Sequence, residues 1–538
     1  MAENTSGRRV ARAAGTVMLA YLLVQAVGIL RTILISRAFG TSAELDSFNA
    51  ANRVAEMLFN LVAGGALGSA FIPTFTGLLA RGQRERAWKL AAAVANLLLL
   101  VLSAVSLLAA LFAPQIVRHG LFILAPGQES GQIDLTVRLL RLLLPSVVIF
   151  GLSGLAMGTL NAHQRFWLPA IAPALYNLGQ ILGLLLLPPA WGVARVAWGV
   201  ILGAALHLLV QLPALVRLPG RRYTLTLGAG LAEVREVILL MGPRVLGVAV
   251  VQINFLANTI IALSLPEGSV SAVALGLTMM LMPQAALAQS TAVAVMPTFS
   301  AQAALGKLDE LRATLAGALR GVLLLAIPAS LGLILLRQPL IALLYQHGPS
   351  FDAESTAMVA WALLWYTAGL VGHSLLEVIV RAFYALKDTR TPVMVGAGAM
   401  ALNVGFSFLF SALFSRLGWM PHGGLALANT LATALEVTLL LFLLRRRLAG
   451  LGGRGILRAA GQALLAAAGM GALLWLGLAW GAALPDAVLA LGGAALGGLV
   501  YAALVLALRV PEARGLLGSL ERKLNLSPRP PSLKGRGS

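Results

Sequence analysis

Five residues in the second apolar stretch of the chain, Asn49, Asn52, Arg53, Glu56 and Asn60, fall at i, i+3, i+4, i+7 and i+11. At 100° per residue they share about 100° of arc on a helix, with Gly64 and Gly68 continuing the same face. One side of this helix is therefore wet. An arginine and a carboxylate at this spacing either make a structural ion pair, with the amides bonding between helices, or line a water-filled substrate cavity. The first apolar stretch repeats the pattern with Tyr21, Gln25, Gly28 and Thr32, and Arg31 flanks that stripe. Arg31 precedes the break at Gly40 by some 14 Å at helical rise, deep for a snorkelling side chain, so it is expected in the cavity. Arg37 lies near the interface, where snorkelling suffices. Asp46, at the start of the second stretch, is placed to pair with Arg37 or Arg31.

Later stretches carry a second set of polar residues. His373, Glu377 and Arg381 recur at i, i+4 and i+8, and Asn429, Thr433 and Glu436 share another helical face. Glu377 and Arg381 have the spacing of an ion pair. Glu436 has no local partner, and an unpaired carboxylate inside a membrane is a candidate proton or sodium site. Glu436, Glu377 and Asn403 are therefore the candidate cation-coupling residues. The amides Gln252, Asn254, Asn258 and Asn403, with Ser407, suit helix–helix hydrogen bonds as well as ion binding.

Enzyme chemistry finds no support. The twenty acidic residues are scattered, no Asp-x-x-Asp marks a cytoplasmic magnesium site, and no Gly-x-x-x-x-Gly-Lys loop is present for ATP. The six histidines lack metal-ligand spacing, and the absence of cysteine excludes disulfides and thiolate sites. No metal or other cofactor is expected.

The elements that must hold these residues follow from composition. Of 538 residues, 59% are hydrophobic and 11% charged, less than half the charge of a soluble domain. An ordinary soluble enzyme is excluded, and the +20 net charge does not indicate nucleic acid, because the basic residues punctuate apolar runs. A hydrocarbon core needs about 20 apolar residues per helix. Fourteen segments qualify, at roughly 17–36, 48–79, 90–113, 142–160, 170–187, 196–215, 237–265, 271–296, 315–336, 357–380, 393–414, 425–444, 459–478 and 487–508. About 30 of the 40 lysines and arginines fall at the N-terminus, in even-numbered loops and in the tail, which puts both termini in the cytoplasm.

An internal repeat divides the chain. Ala70-Phe71-Ile72-Pro73-Thr74-Phe75 and Ala294-Val295-Met296-Pro297-Thr298-Phe299 are about 224 residues apart, as are Arg165 to Pro169 and Arg390-Thr391-Pro392. A displacement of six spans preserves orientation, so the halves are expected to be related by an axis near the membrane normal. The expected fold is an all-α integral membrane protein with two six-helix lobes and two further helices. Its parts are a basic cytoplasmic N-terminus (1–16), an N-lobe (17–215), a cytoplasmic linker (216–236), a C-lobe (237–444), a C-terminal helix pair (445–508) and a basic disordered tail (509–538).

The chain resembles the MurJ/MviN family of lipid II flippases, in the multidrug/oligosaccharidyl-lipid/polysaccharide exporter superfamily. The resemblance rests on Ser36-Arg37-Ala38-Phe39-Gly40 with Asp46 and Phe48, on Gly65-Ala66 to Pro73, and on Leu160-Asn161 with Arg165-Phe166 and Pro169. It continues through Ala172-Pro173 with Asn177, Met241-Gly242-Pro243, Asn258-Thr259-Ile260, Gly268 to Ser271, Gln346 with Gly348, Phe383-Tyr384, Asp388 and Thr391-Pro392. It implies fourteen helices, a V-shaped cationic cavity, and transfer of the undecaprenyl-linked peptidoglycan precursor from inner to outer leaflet. Arg31 and Asp46 match family cavity positions, whereas Gln25, Thr32, Phe59 and Thr278 stand where the family carries charged residues. Asn403 matches a position near a sodium site that the resemblance implies for some members.

The expected substrate site is thus Arg31, Arg53, Asn49, Asn52, Glu56, Asn60, Gln25 and Asp46, with alternating access as the mechanism. Expected partners are the lipid-linked precursor, membrane lipids and H+ or Na+, with the chain monomeric in the bacterial inner membrane. Two alternatives stay open: flipping of another lipid-linked oligosaccharide, and cation-coupled export of a small molecule.

Overall fold

The computed structural model describes residues 2–62, 70–127, 129–348, 350–481 and 483–511, with side chains described outside 2–18, Pro243 and Arg244. Gly64 and Gly68, and nearly all of the expected tail, lie outside these residues. The chain is all-helical, 84% helix, with no strand among the described residues. The helices are α1 (Ala2–Phe39), α2 (Ala43–Val62), α3 (Ile72–Ala80), α4 (Arg84–Leu111), α5 (Ala113–Gln115), α6 (Ser130–Ala162), α7 (Trp167–Leu186), α8 (Ala194–Leu209), α9 (Leu212–Val216) and α10 (Ala232–Leu263). They continue as α11 (Ser269–Gln284), α12 (Ser290–Ala304), α13 (Leu308–Tyr345), α14 (Ala353–Ala368), α15 (Leu370–Ala385), α16 (Arg390–Arg416), α17 (His422–Arg447), α18 (Gly453–Trp480) and α19 (Gly493–Ala507). Lipid supplies no hydrogen bonds, so a spanning backbone must satisfy its own, and helices do this within one segment.

Twelve of the described helices are long and apolar enough to cross a membrane, or thirteen if α14 and α15, bent by 45°, make one span. The second expected span includes α2 and α3, and residues 63–69 between them lie outside the described residues. Proline and π-turns break the longer spans. Pro283 lies in the last turn of α11, and a π-turn at Ala285–Gln289 joins α11 to α12 within the eighth expected span.

The chain forms two compact units. One comprises 1–278, 341–366 and 396–432, and the other 279–340, 367–395 and 433–538. The core of the first is built from Phe71, Phe75, Leu90, Leu102, Leu139, Leu140 and Leu143, all fully buried or nearly so. Its 217–231 segment is pinned onto α4, where Asn96 donates to the carbonyls of Thr224 and Thr226 at 3.2 and 2.9 Å and accepts from the Tyr223 hydroxyl. The second unit packs Phe299, Leu311, Leu315, Phe383 and Leu440 in one cluster and α13, α18 and α19 in another, where the Tyr501 hydroxyl donates to the Leu324 carbonyl. Phe75 and Phe299, equivalent in the sequence repeat, are both fully buried, each in its own unit.

The tightest helix contact in the first unit is between α7 and α8. Gly179 and Gly183 on one helix face Gly199 and Gly203 on the other. A Cβ on Gly179 would stand 2.2 Å from the Gly203 Cα, and one on Gly183 would stand 2.5 Å from the Gly199 Cα. Two small-x-x-x-small patterns thus let the backbones meet, which is how helices associate when lipid is as apolar as leucine.

In the second unit, Asp388 sits in the turn before α16. It accepts from the Thr391 backbone N–H at 3.0 Å and the Thr391 hydroxyl at 2.7 Å, and it pairs with Arg447 at the end of α17. These partners hold its carboxyl below the usual carboxylate range, the Thr391 amide foremost.

Two outcomes follow. Gly199→Leu forces apart α7 and α8 and yields aggregated or unfolded protein by size-exclusion chromatography, whereas Gly477→Ala, which meets no atom within 4 Å, leaves the profile unchanged. Because the folded Asp388 pKa is depressed, its stabilisation is present above the ordinary carboxylate pKa and disappears as pH falls through the lower folded value. Asp388→Asn should lower the thermal midpoint at pH 7, and the gap to the parent should close on acidification; a gap independent of pH would contradict this assignment.

Candidate functional site

The wet face of α2 meets a cavity of about 330 Å³ inside the first unit. Its polar lining comes from seven helices: Arg31 and Thr32 of α1, Asn49, Asn52, Arg53 and Glu56 of α2, Tyr176 and Gln180 of α7, Asn254, Asn258 and Thr259 of α10, Thr278 of α11, Tyr366 of α14 and Asn429 of α17. A second cavity of about 370 Å³ lies on the continuation of the same face. It shares Asn52, Glu56 and Tyr176 with the first, takes Asn60, and its other walls include Phe59, Met157, Phe150, Pro173, Val200 and His207. Phe59 packs on Phe150 at 5.6 Å between ring centroids, so an aromatic wall stands where the resemblance leads one to expect an arginine.

The two arginines of the first cavity differ in how their charge is met. Arg53 donates to the Glu56 carboxylate at 3.1 Å and lies 5.0 Å over the Phe255 ring, while Asn52 donates to the other Glu56 oxygen at 2.8 Å. Its charge is compensated within one turn. Arg31 is held by neutral groups, donating to the Asn177 side-chain oxygen at 3.1 Å and the Thr32 hydroxyl at 3.4 Å, and its buried Nε has no hydrogen-bond partner. Among the described residues Arg31 makes no ion pair, so the charged groups lining the cavity sum to +1. Thr278 also lines the cavity, but its hydroxyl is occupied by the Ala274 carbonyl at 2.8 Å.

Asp46 pairs with neither Arg37 nor Arg31. Its buried carboxylate accepts from the backbone N–H of Gly268 at 2.9 Å, the backbone N–H of Ser271 at 2.8 Å and the Ser271 hydroxyl at 2.6 Å. The first amides of a helix have no partner within it and attract negative charge, and the start of α11 satisfies its need through Asp46. Asn49 adds a bond to the Ser271 hydroxyl oxygen at 3.1 Å. Arg37, expected to snorkel, donates instead to the Leu344 carbonyl at 2.9 Å.

Around this carboxylate the turn between α1 and α2 is clamped. Thr41 bonds to Ser355 at 3.0 Å between hydroxyls, and the Ala43 amide donates to Glu267 at 2.7 Å. Gly268, at φ +83°, lies so close that a Cβ there would stand 2.4 Å from the Thr41 carbonyl oxygen. The cavity ends against this clamp, lined there by Ile35, Ser36, Leu45 and Val270.

Of the residues expected at the site, Arg31, Asn49, Asn52, Arg53 and Glu56 come together on one cavity and Asn60 on its neighbour. Asp46 lies behind the cavity wall, and Gln25 is exposed on α1. Asn403 is buried in an α10–α16 contact, accepting from Asn254 at 3.0 Å and Asn258 at 2.8 Å, with Ser407 donating to Asn258 at 3.0 Å. Glu377 and Glu436 belong to the second unit. Glu377 pairs with Arg381 at 2.9 Å and Glu436 has no ion pair among the described residues. The α7 residues Tyr176, Asn177 and Gln180 were not singled out for the cavity from the residue pattern. Their signal was a one-turn polar cluster in an otherwise apolar span.

The clamp can be tested alone. Asp46→Ala leaves the Gly268 and Ser271 amides without their acceptor and should cost on the order of 3 kcal/mol, read as a fall in thermal midpoint. In the cysteine-free parent, a Ser36→Cys thiol should also react faster with maleimide once Asp46 is removed. Unchanged labelling would show that the clamp does not shield that end.

Known proteins match this chain over most of its length. The family model for the lipid II flippase MurJ matches residues 35–483. A lipid II flippase MurJ of Burkholderia cenocepacia is 33% identical over 435 residues, 79% of this chain and 82% of that protein. A probable lipid II flippase MurJ of Synechocystis is 30% identical over 502 residues, 89% of this chain and 90% of that one. Among solved structures, a lipid II flippase MurJ in an inward closed conformation superposes with a TM-score of 0.76 at 23% identity, covering 91% of this chain and 97% of that one. An inward-facing multidrug transporter of the MATE family, in the MOP superfamily, superposes at 0.65 and 15% identity over 80% and 94% of the two chains. A multi-pass helical chain with a polar cavity walled by seven helices, matched over residues 35–483, belongs to the lipid II flippase MurJ family of membrane transporters and is not an enzyme.

Proposed function

We propose that this chain flips the undecaprenyl-linked peptidoglycan precursor, lipid II, from the inner to the outer leaflet of the bacterial cytoplasmic membrane. The observation that carries the reading is Arg31, a cation lining a membrane cavity that is held by an amide and a hydroxyl and makes no ion pair among the described residues. Burying an unpaired charge is costly, and a diphosphate supplies the missing anion through charge-assisted hydrogen bonds. Arg53 is the second phosphate ligand once it turns from Glu56, and Asn49, Asn52, Asn429 and Gln180 supply the donors and acceptors that sugar and peptide groups need. The single uncompensated charge suits a diphosphate drawn in and then released, since a heavily cationic site would hold it.

The mechanism is alternating access. The lobes 17–215 and 237–444 rock about the cavity, the head group crosses inside it, and the isoprenoid tail stays in lipid. Fourteen spans put both termini in the cytoplasm, and the transporter acts as a monomer. The Asp46 clamp is then the outer gate, because it lies opposite the arginine-rich loops. A proton or sodium ion is a candidate driving ion, and Glu436, without an ion pair among the described residues, is the candidate carboxylate to take a proton. The same carboxylate favours the second reading, a cation-coupled exporter.

Purified protein in proteoliposomes decides between them. The Arg31→Ala, Arg53→Ala double variant, folded by thermal midpoint, should lose at least ten-fold in lipid II flipping. Depleting the protein in its native cell should accumulate inner-leaflet precursor. Parental flipping by the double variant, or unchanged precursor pools, would sink the assignment, and small-molecule efflux abolished by Glu436→Gln would favour the exporter.

A further inference from the structure

An unassigned groove lies in the second unit, where α13, α15, α17 and α18 converge at the end that the proposed topology puts in the cytoplasm. It encloses about 610 Å³, room for one acyl chain, and its walls are side chains of Leu319, Leu323, Leu375, Leu441 and Ile456. It opens on the lipid-facing surface past Phe442 and Leu457, 47% and 73% exposed. The turn from 450 to 453 contributes three glycines to its mouth, with Gly450 and Gly452 at positive φ, so few side chains obstruct entry.

The rim is cationic in a selective way. Of the three consecutive arginines that end α17, Arg447 is bound to Asp388 and Arg446 lies 4.3 Å over the Phe442 ring. Arg445 lines the groove with Arg454, and neither has an ion pair or hydrogen bond among the described residues. A basic cytoplasmic surface alone does not require this division of labour. An apolar slot with the volume for one acyl chain, with two guanidinium groups at its mouth that have no partner among the described residues, has the chemistry of a phosphodiester carried on hydrocarbon chains. Guanidinium binds such oxygens in a fork, and basic residues near the surface attract anionic lipid.

We propose that this groove binds one anionic glycerophospholipid, its phosphate between Arg445 and Arg454 and one acyl chain among the leucines. The site is separate from the transport cavity, with which it shares no lining residue, and it does not depend on what the chain transports.

The test uses the full chain, delipidated in a neutral detergent, with binding read by native mass spectrometry and by thermal midpoint. Phosphatidylglycerol should bind with one-to-one stoichiometry and at least ten-fold tighter than phosphatidylcholine. Arg445→Ala, Arg454→Ala should weaken it about ten-fold, while Arg221→Ala, Arg222→Ala, on an exposed loop elsewhere, should leave it unchanged. If the first pair fails to fold, Leu441→Trp, which narrows the groove without touching charge, should weaken binding, and Arg445→Lys, Arg454→Lys should retain most of it. Undiminished binding in the groove variants overturns the proposal. So does equal stabilisation by glycerol 3-phosphate, which would mean an anion site only, and so does preferential binding of undecaprenyl phosphate over phosphatidylglycerol, which would give the groove to an isoprenoid.

Discussion

A helix that begins inside a membrane protein presents backbone amides that nothing in its own first turn can satisfy, and the start of α11 meets this constraint with one carboxylate. Asp46 reaches across 222 residues of sequence to accept from the Gly268 amide, and it also takes the amide and hydroxyl of Ser271. Because a buried carboxylate is tolerable only when its oxygens are occupied, helix and acid need each other. The Gly40 turn, the Thr41–Ser355 bond and the Glu267 contact to Ala43 gather around that mutual requirement. The end wall of the cavity is in this sense a by-product of capping.

The cavity obeys the same economy of charge. Glu56 cancels Arg53, Asn52 fixes the remaining oxygen of Glu56, and Asn177 orients Arg31 without neutralising it. Gln25, Phe59 and Thr278, where the resemblance implies charged residues, are neutral. Their settings differ: Gln25 is exposed, Phe59 joins an aromatic wall, and Thr278 is spent on its own helix.

What the sequence disclosed was whatever repeats with the helix. The α2 arc was legible because five polar side chains at helical spacing contrast with an apolar background, and Arg31 because its depth argues against an interfacial role. Asn177 and Tyr176 escaped because a few polar residues in an apolar span look the same whether they hold two helices together or line a cavity. Asp46 was seen as a charge seeking a charge, whereas its partners are amides, and every residue but proline has one. The facing glycines of α7 and α8 were printed in the sequence at four-residue spacing, but only their meeting in space gives that spacing meaning. Asn403 shows the reverse: the pattern left it open between helix glue and ion ligand, and its two amide donors account for its side-chain oxygen.

The α7–α8 contact has a mechanical consequence. Backbones that touch through Gly179, Gly183, Gly199 and Gly203 have no side chains between them to rearrange, so the pair behaves as a single stiff plank. Tyr176, Asn177 and Gln180 ride on it, with Asn177 holding Arg31. Tyr176 and Gln180 thus line the cavity from a helix whose spacing to its neighbour is fixed by backbone rather than by interlocking side chains.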